Sequence, residues 1–132
     1  MTTELFYLAL TAGLALILWV PYVVARIFCW GIADAAGYPT DPPELPGWAR
    51  RGQRAHLNLL ENLAPFAALV MVAQAIDVHS ANTVLGATLF FWARVAHALL
   101  FIMGVPFLRT LAFLTGWVGA TLIFIQIIIS VM

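Results

Sequence analysis

A chain of 132 residues that is 64% hydrophobic and 9% charged lies far from the soluble average of about 45–50% apolar and 25% charged. Its mean hydropathy is +0.99; in water such a chain exposes large apolar patches and aggregates, which excludes a soluble domain. Six arginines, no lysine and six acidic residues give zero formal charge, which excludes a nucleic-acid partner needing a basic surplus. The lone Cys29 excludes an intrachain disulfide and a multi-cysteine metal site. The expectation is one all-α integral membrane domain over residues 1–132, a four-transmembrane-helix bundle in membrane lipid.

Four stretches meet the roughly 20 apolar residues needed to cross a ~30 Å hydrocarbon core. They are placed at about 5–28, 55–76, 83–103 and 107–131. The first has no charged residue in its apolar run and resembles no cleavable signal. Its run is too long, Glu4 stands where a basic residue belongs, and no small-residue cleavage site follows. Pro21 and Pro65 fall inside the first and second spans, where each predicts a kink.

The connections differ in kind. Gly37 to Gly47 holds four prolines, so the first loop is irregular, and the second helix is expected to begin near Trp48, ahead of the membrane. Asp77 to Ala81 makes a tight second connection, with Ser80 or Asn82 as N-cap of the third span. Gly104-Val105-Pro106 turns the third span into the fourth. Arg26, Arg50, Arg51 and Arg54 flank the first loop and Arg109 follows the third, while the second loop and both termini have none. The positive-inside rule then puts loops one and three in the cytoplasm and both termini outside. Arginine without lysine, with abundant alanine, points to a GC-rich bacterial genome and hence an inner membrane.

Ionisable residues inside the second and third spans carry the functional signal, because each costs about 2.5–3.5 kcal/mol on insertion scales. At 100° per residue, Arg54, Asn58 and Glu61 share one face of the second helix, and Arg94, His97 and Phe101 share one face of the third. His56 points nearly opposite Arg54, toward another partner or a neighbouring subunit. Two readings compete. Arg54 and Glu61 are buried partners, or Arg94 pairs with Glu61, and the charges only hold helices together. Alternatively they line a cavity open to the cytoplasm. Several arginines with one carboxylate and one amide suit a small zwitterion bearing more than one carboxylate, with Glu61 taking its ammonium. The Arg54–Glu61 stripe is about 10 Å long, the reach of a tripeptide.

The remaining candidates have plainer readings. Cys29 is a small apolar filler without a base at any fixed relation to it. His79 is a solvated loop residue, and three histidines on three segments give no metal spacing. The five tryptophans belong to interfaces and packing. Gly13, Gly116 and Gly119 permit close helix packing.

The segment Arg54-Ala-His56-Leu-Asn58-Leu-Leu-Glu61-Asn-Leu-Ala-Pro65-Phe66, with Ala93-Arg94-Val-Ala-His97, resembles the signature of the MAPEG family. These are membrane-associated proteins in eicosanoid and glutathione metabolism; the wording is nearest to its microsomal glutathione transferases and prostaglandin E synthases. The resemblance implies a homotrimer of four-helix subunits with glutathione bound between neighbours. By motif position it implies glutathione contacts at Arg26, Arg54, His56, Asn58, Glu61, Arg94 and His97. Arg109 resembles the arginine that stabilises the glutathione thiolate and is the implied catalytic residue. No metal is implied. The implied function is a glutathione-dependent transferase or peroxidase acting on a lipophilic small-molecule electrophile. Phe101 stands where family enzymes often carry a tyrosine, which keeps a non-catalytic lipid-binding or scaffold role as the alternative.

Overall fold

The computed structural model describes residues 1–132 and contains helices and turns without a strand. The helices are α1 (Thr3–Trp30), α2 (Ile32–Ala36), α3 (Gly47–Ala75), α4 (Ala81–Met103) and α5 (Pro106–Val131). All but α2 are long and apolar enough to cross a membrane, in keeping with the expected four-helix membrane bundle. The short α2 lies in the first loop, where apolar periodicity gave no sign of it. At 29 residues and ~1.5 Å per residue, α3 exceeds a ~30 Å core, so its arginine-bearing first turns have room to project beyond it.

Local chemistry sets the helix ends. Thr2 caps α1 by accepting from the Leu5 amide. Ser80, rather than Asn82, caps α4: its hydroxyl accepts from the Thr83 amide while Thr83 Oγ1 accepts from the Ser80 amide, a reciprocal capping box. Gly104 ends α4 in the left-handed region at φ 78°, a conformation that a Cβ disfavours. Pro106 then starts α5 at a position where its missing N–H costs nothing. Pro21 and Pro65 lie inside α1 and α3.

Helices α3 and α4 run antiparallel, fixed by contacts in reverse order: Arg51 to Ile102, Asn58 to Arg94, and Phe66 stacked on Phe90. α1 packs on α3 and α4, and α5 packs on α4 and α3, leaving α1 and α5 apart. The closest approach is between α4 and α5. A Cβ on Gly86 or on Gly119 would lie 2.5 Å from the other's carbonyl oxygen, so only glycine lets these backbones meet. Gly13 has nothing within 4 Å of such a Cβ, so the close packing expected of it is absent within the subunit.

Polarity is segregated by depth. The core of Phe66, Val70, Ala73, Ala87, Phe90, Ile123 and Ile127 fills the half of the bundle near the second loop. Beyond it, Glu4 is buried and accepts a hydrogen bond from Thr83 Oγ1. His79 is not simply solvated: its Nδ1 is 3.5 Å from Glu4 and its Nε2 is 3.7 Å from Asp77. Cys29 is exposed on the outer face of α1, so it fills no gap in the packing. Trp19, Trp48, Trp92 and Trp117 are exposed, while Trp30 donates from Nε1 to Pro43 O and pins the first loop. The other half of the bundle holds the arginines and Glu61.

Candidate functional site

The structure distributes the candidate residues other than Glu61 over four groups. At the centre, Arg94 is buried between α3, α4 and α5, and its Nη1 donates to Asn58 Oδ1 at 2.8 Å. Its Nε and Nη2 are buried without a partner. The guanidinium faces the rings of Phe90 and Phe113, at 5.3 and 5.0 Å from their centroids, contacts that favour a cation. Gly116 makes the space: a Cβ there would sit 3.2 Å from Arg94 Nε. Close packing therefore places Gly116 against a side chain rather than against another backbone.

Neither structural pairing considered for these charges occurs. Arg94 bonds Asn58 and not Glu61. Arg54 and Glu61 are both exposed, and neither takes part in a salt bridge. The stripe that α3 presents at Arg54 and Glu61 faces out of the subunit, with Asn58 half-buried behind it. Pro65 has no N–H, so the Glu61 backbone carbonyl also lacks its helical donor. Glu61 thus offers an exposed carboxylate without a salt-bridge partner in the subunit.

The second group joins α4 to α5. His97 is buried with its ring edge toward Phe101, centroids 5.5 Å apart, and lies 6.1 Å from Phe113. The Arg109 guanidinium covers the other partner, its Cζ 4.5 Å from the Phe101 centroid. Aromatic rings therefore connect Arg94, through Phe113 and His97, to Phe101 and Arg109. Phe101 supplies a ring face for the cation where a tyrosine would add a hydroxyl.

The third group joins α1 to α3. His56 does point away from Arg54, and its partner is within the subunit: Nδ1 lies 2.9 Å from the hydroxyl of buried Tyr22. Arg26 stacks near Tyr22 and Trp30, at 5.3 and 5.7 Å, and its Nε is buried without a partner. Tyr22 is a member of this group that composition and periodicity do not single out. The available signal is a phenol inside an otherwise apolar run, one turn before Arg26, since a buried tyrosine hydroxyl seeks a hydrogen-bond partner. The fourth group is Arg54 with Arg50, Arg51 and Gly47, which together line a cavity of about 200 Å³.

No single cavity of the subunit encloses Arg26, Arg54, His56, Asn58, Glu61, Arg94, His97 and Arg109. They do share the end of the bundle near loops one and three. What they can do there is bind anionic groups at arginine forks, accept an ammonium at Glu61 and stabilise a developing negative charge at Arg109.

Fold and site together define a polytopic helical membrane protein with a polar, arginine-rich site inside an apolar bundle. The model of the MAPEG family matches residues 8–129, nearly the whole chain. The chain belongs to the MAPEG family, and so to membrane proteins of glutathione and eicosanoid metabolism. No curated protein and no solved structure matches it.

Proposed function

We infer that the protein is a glutathione-dependent transferase or peroxidase that acts on lipophilic electrophiles dissolved in the bilayer. The observation that carries this reading is the unpaired stripe on α3. Arg54 and Glu61 face outward without a counter-ion in the subunit, and Glu61 falls within the apolar span, where an unpaired carboxylate is too costly to keep as decoration. A zwitterionic tripeptide satisfies both ends, with carboxylates on Arg54 and Arg26 and ammonium on Glu61. His56, Asn58, Arg94 and His97 complete the glutathione set, Asn58 and Arg94 as a bonded pair. Because the stripe faces out, a second copy must cover it. A homotrimer closes such a ring without free edges and is expected as three subunits in native mass spectrometry.

Arg109 is assigned to the thiol. A thiol with pKa ~8.5 is mostly protonated near neutral pH. A guanidinium that lowers this by two units contributes about 2.7 kcal/mol and raises the thiolate fraction more than tenfold. Its contact with Phe101 orients the guanidinium through the ring face. Loops one and three, with Arg54 and Arg109, are assigned to the cytoplasmic side of a bacterial inner membrane, where glutathione is available.

The competing reading, a non-catalytic lipid-binding or scaffold member, is favoured by Phe101, which offers Arg109 a ring but the ligand no hydroxyl. Calorimetry with glutathione and a conjugation assay with a chromogenic aryl halide, both on detergent-solubilised protein, test the two. Binding with turnover supports the transferase. Binding without turnover supports the non-catalytic member, and no binding overturns the glutathione assignment.

A further inference from the structure

The cavity at the start of α3 has a composition that the thiol reading does not use. Its lining is Gly47, Arg50, Arg51 and Arg54, three cations without an apolar side chain. The carboxylate nearest to them is Glu44, 3.5 Å from Arg50 in a pair exposed on both sides, and such a pair holds little charge back. Arg51 is positioned rather than free. Its Nε donates to Ile102 O at 2.9 Å, and its guanidinium lies over left-handed Gly104 and against Gly47. Cβ atoms at those two glycines would come to 3.4 Å from Arg51 Cζ and 3.1 Å from Arg51 Nη1. That leaves Nη1 and Nη2 as fixed, unpaired donors at the cavity wall. Exposed apolar residues adjoin the lining and its contacts along the chain: Trp48 follows Gly47, Met103 stands between Ile102 and Gly104, and Phe107 and Leu108 come just after the turn at Gly104.

We propose that this cavity is a binding site for the phosphate of an anionic phospholipid from the leaflet that surrounds loops one and three. Forked arginine donors match phosphate oxygens. A basic pocket set at the end of membrane helices is the arrangement that draws anionic headgroups. The exposed apolar residues that adjoin these positions along the chain give the acyl chains a surface, which a soluble phosphate would not need. Arg54 marks the boundary with the α3 stripe, while Arg50 and Arg51 belong to this site alone. The assignment does not depend on glutathione being the thiol substrate.

The test uses the full-length protein in mild detergent, with bound lipid counted by native mass spectrometry. It is titrated with phosphatidylglycerol, phosphatidylcholine and inorganic phosphate in parallel. The expected result is saturable retention of phosphatidylglycerol, at least tenfold tighter than of phosphatidylcholine and weakened by salt. Arg50→Gln should weaken retention about fivefold and Arg50→Gln with Arg51→Gln about 25-fold, as each arginine near the surface contributes a similar factor. Arg51→Lys should fall between, keeping charge without the fork. Arg50→Gln lies on an exposed turn, so it keeps the test valid should loss of Arg51 disturb the α4–α5 turn. Equal retention of the two lipids, or retention unaffected by Arg50→Gln, overturns the proposal. Displacement by equimolar inorganic phosphate overturns the lipid as source, and one-for-one displacement by glutathione makes the cavity part of the thiol site.

Discussion

The Arg94 guanidinium on α4 donates to Asn58 Oδ1 on α3 at 2.8 Å, while its Nε and Nη2 remain buried without partners. A cation held by one neutral amide and two aromatic faces is sensitive to the loss of either. Removing one partner of a buried polar pair leaves the other's full desolvation cost, whereas replacing both with apolar groups can be nearly neutral. Asn58→Leu is therefore expected to destabilise the bundle by about 2–4 kcal/mol. Asn58→Leu with Arg94→Met should recover all but about 1 kcal/mol. Thermal unfolding in detergent measures both, and an Asn58→Leu protein as stable as the parent would show that the bond holds nothing.

The glycines of α5 are expected to separate by what their Cβ would meet. At Gly119 it would lie 2.5 Å from Gly86 O and 2.9 Å from Phe90 N, backbone atoms that cannot turn aside. At Gly116 the nearest atoms belong to the Arg94 guanidinium, at 3.2 and 3.4 Å, which can shift slightly. Gly119→Ala should cost about 3 kcal/mol, the upper end for an overpacked site, and Gly116→Ala about 1 kcal/mol. Reversal of that order in melting temperature would mean that α4 and α5 pack differently.

Tyr22→Phe tests whether His56 is held for the site or only for the fold. The hydroxyl fixes His56 through Nδ1 at 2.9 Å, so removing it should cost about 1 kcal/mol of stability. Glutathione affinity should fall several-fold as well, because an untethered imidazole must be ordered on binding. A stability loss with unchanged affinity by calorimetry would confine Tyr22 to structure.

Glu61→Gln should weaken glutathione binding by tenfold or more, the scale of a charge-assisted hydrogen bond of about 1.5–3 kcal/mol. Stability should stay close to the parent's, because Glu61 is exposed and takes part in no salt bridge within the subunit. Equal affinity in the two proteins would place the ligand ammonium elsewhere.

The parts of the fold that sequence made legible are those set by local chemistry. Span number follows from apolar runs, the Gly104 turn and an α4 start at Ser80 or Asn82 from local residue chemistry, and the Arg54–Glu61 face from helical geometry. What remained hidden depends on which helix lies opposite. Helical angles place His56 away from Arg54, but only the packing of α1 on α3 supplies Tyr22 as its partner. They place Arg94 and His97 on one face, but not Asn58 rather than Glu61 across from it. Gly116 reads as a packing glycine until the Arg94 guanidinium is seen to fill its space. Arg50 and Arg51 read as flanking charges until Gly47 and Gly104 close around Arg51.

Arg109→Leu should leave glutathione binding within a few-fold of the parent and sharply reduce turnover. The Arg109 guanidinium sits 4.5 Å from the Phe101 centroid, one turn of α4 beyond His97. It stands at the same end of the bundle as Arg54, within the group assigned to the thiol end of the tripeptide. Its charge favours thiolate over thiol, a preference expressed in the chemical step more than in ground-state affinity. The thiolate absorbs in the ultraviolet where the thiol does not, so its formation can be titrated against pH in parent and variant. The apparent thiol pKa is expected to rise by about one unit or more without Arg109. The sign follows: the parent holds thiolate at lower pH, and the variant needs more alkaline solution to reach the same fraction. Arg109→Lys should be intermediate, keeping charge but losing the planar face that stacks on Phe101. Phe101→Tyr should add a hydroxyl within reach of the same charge and lower the thiol pKa further. If Arg109→Leu changes neither the thiol pKa nor the conjugation rate, Arg109 serves only to anchor the third loop at the membrane surface.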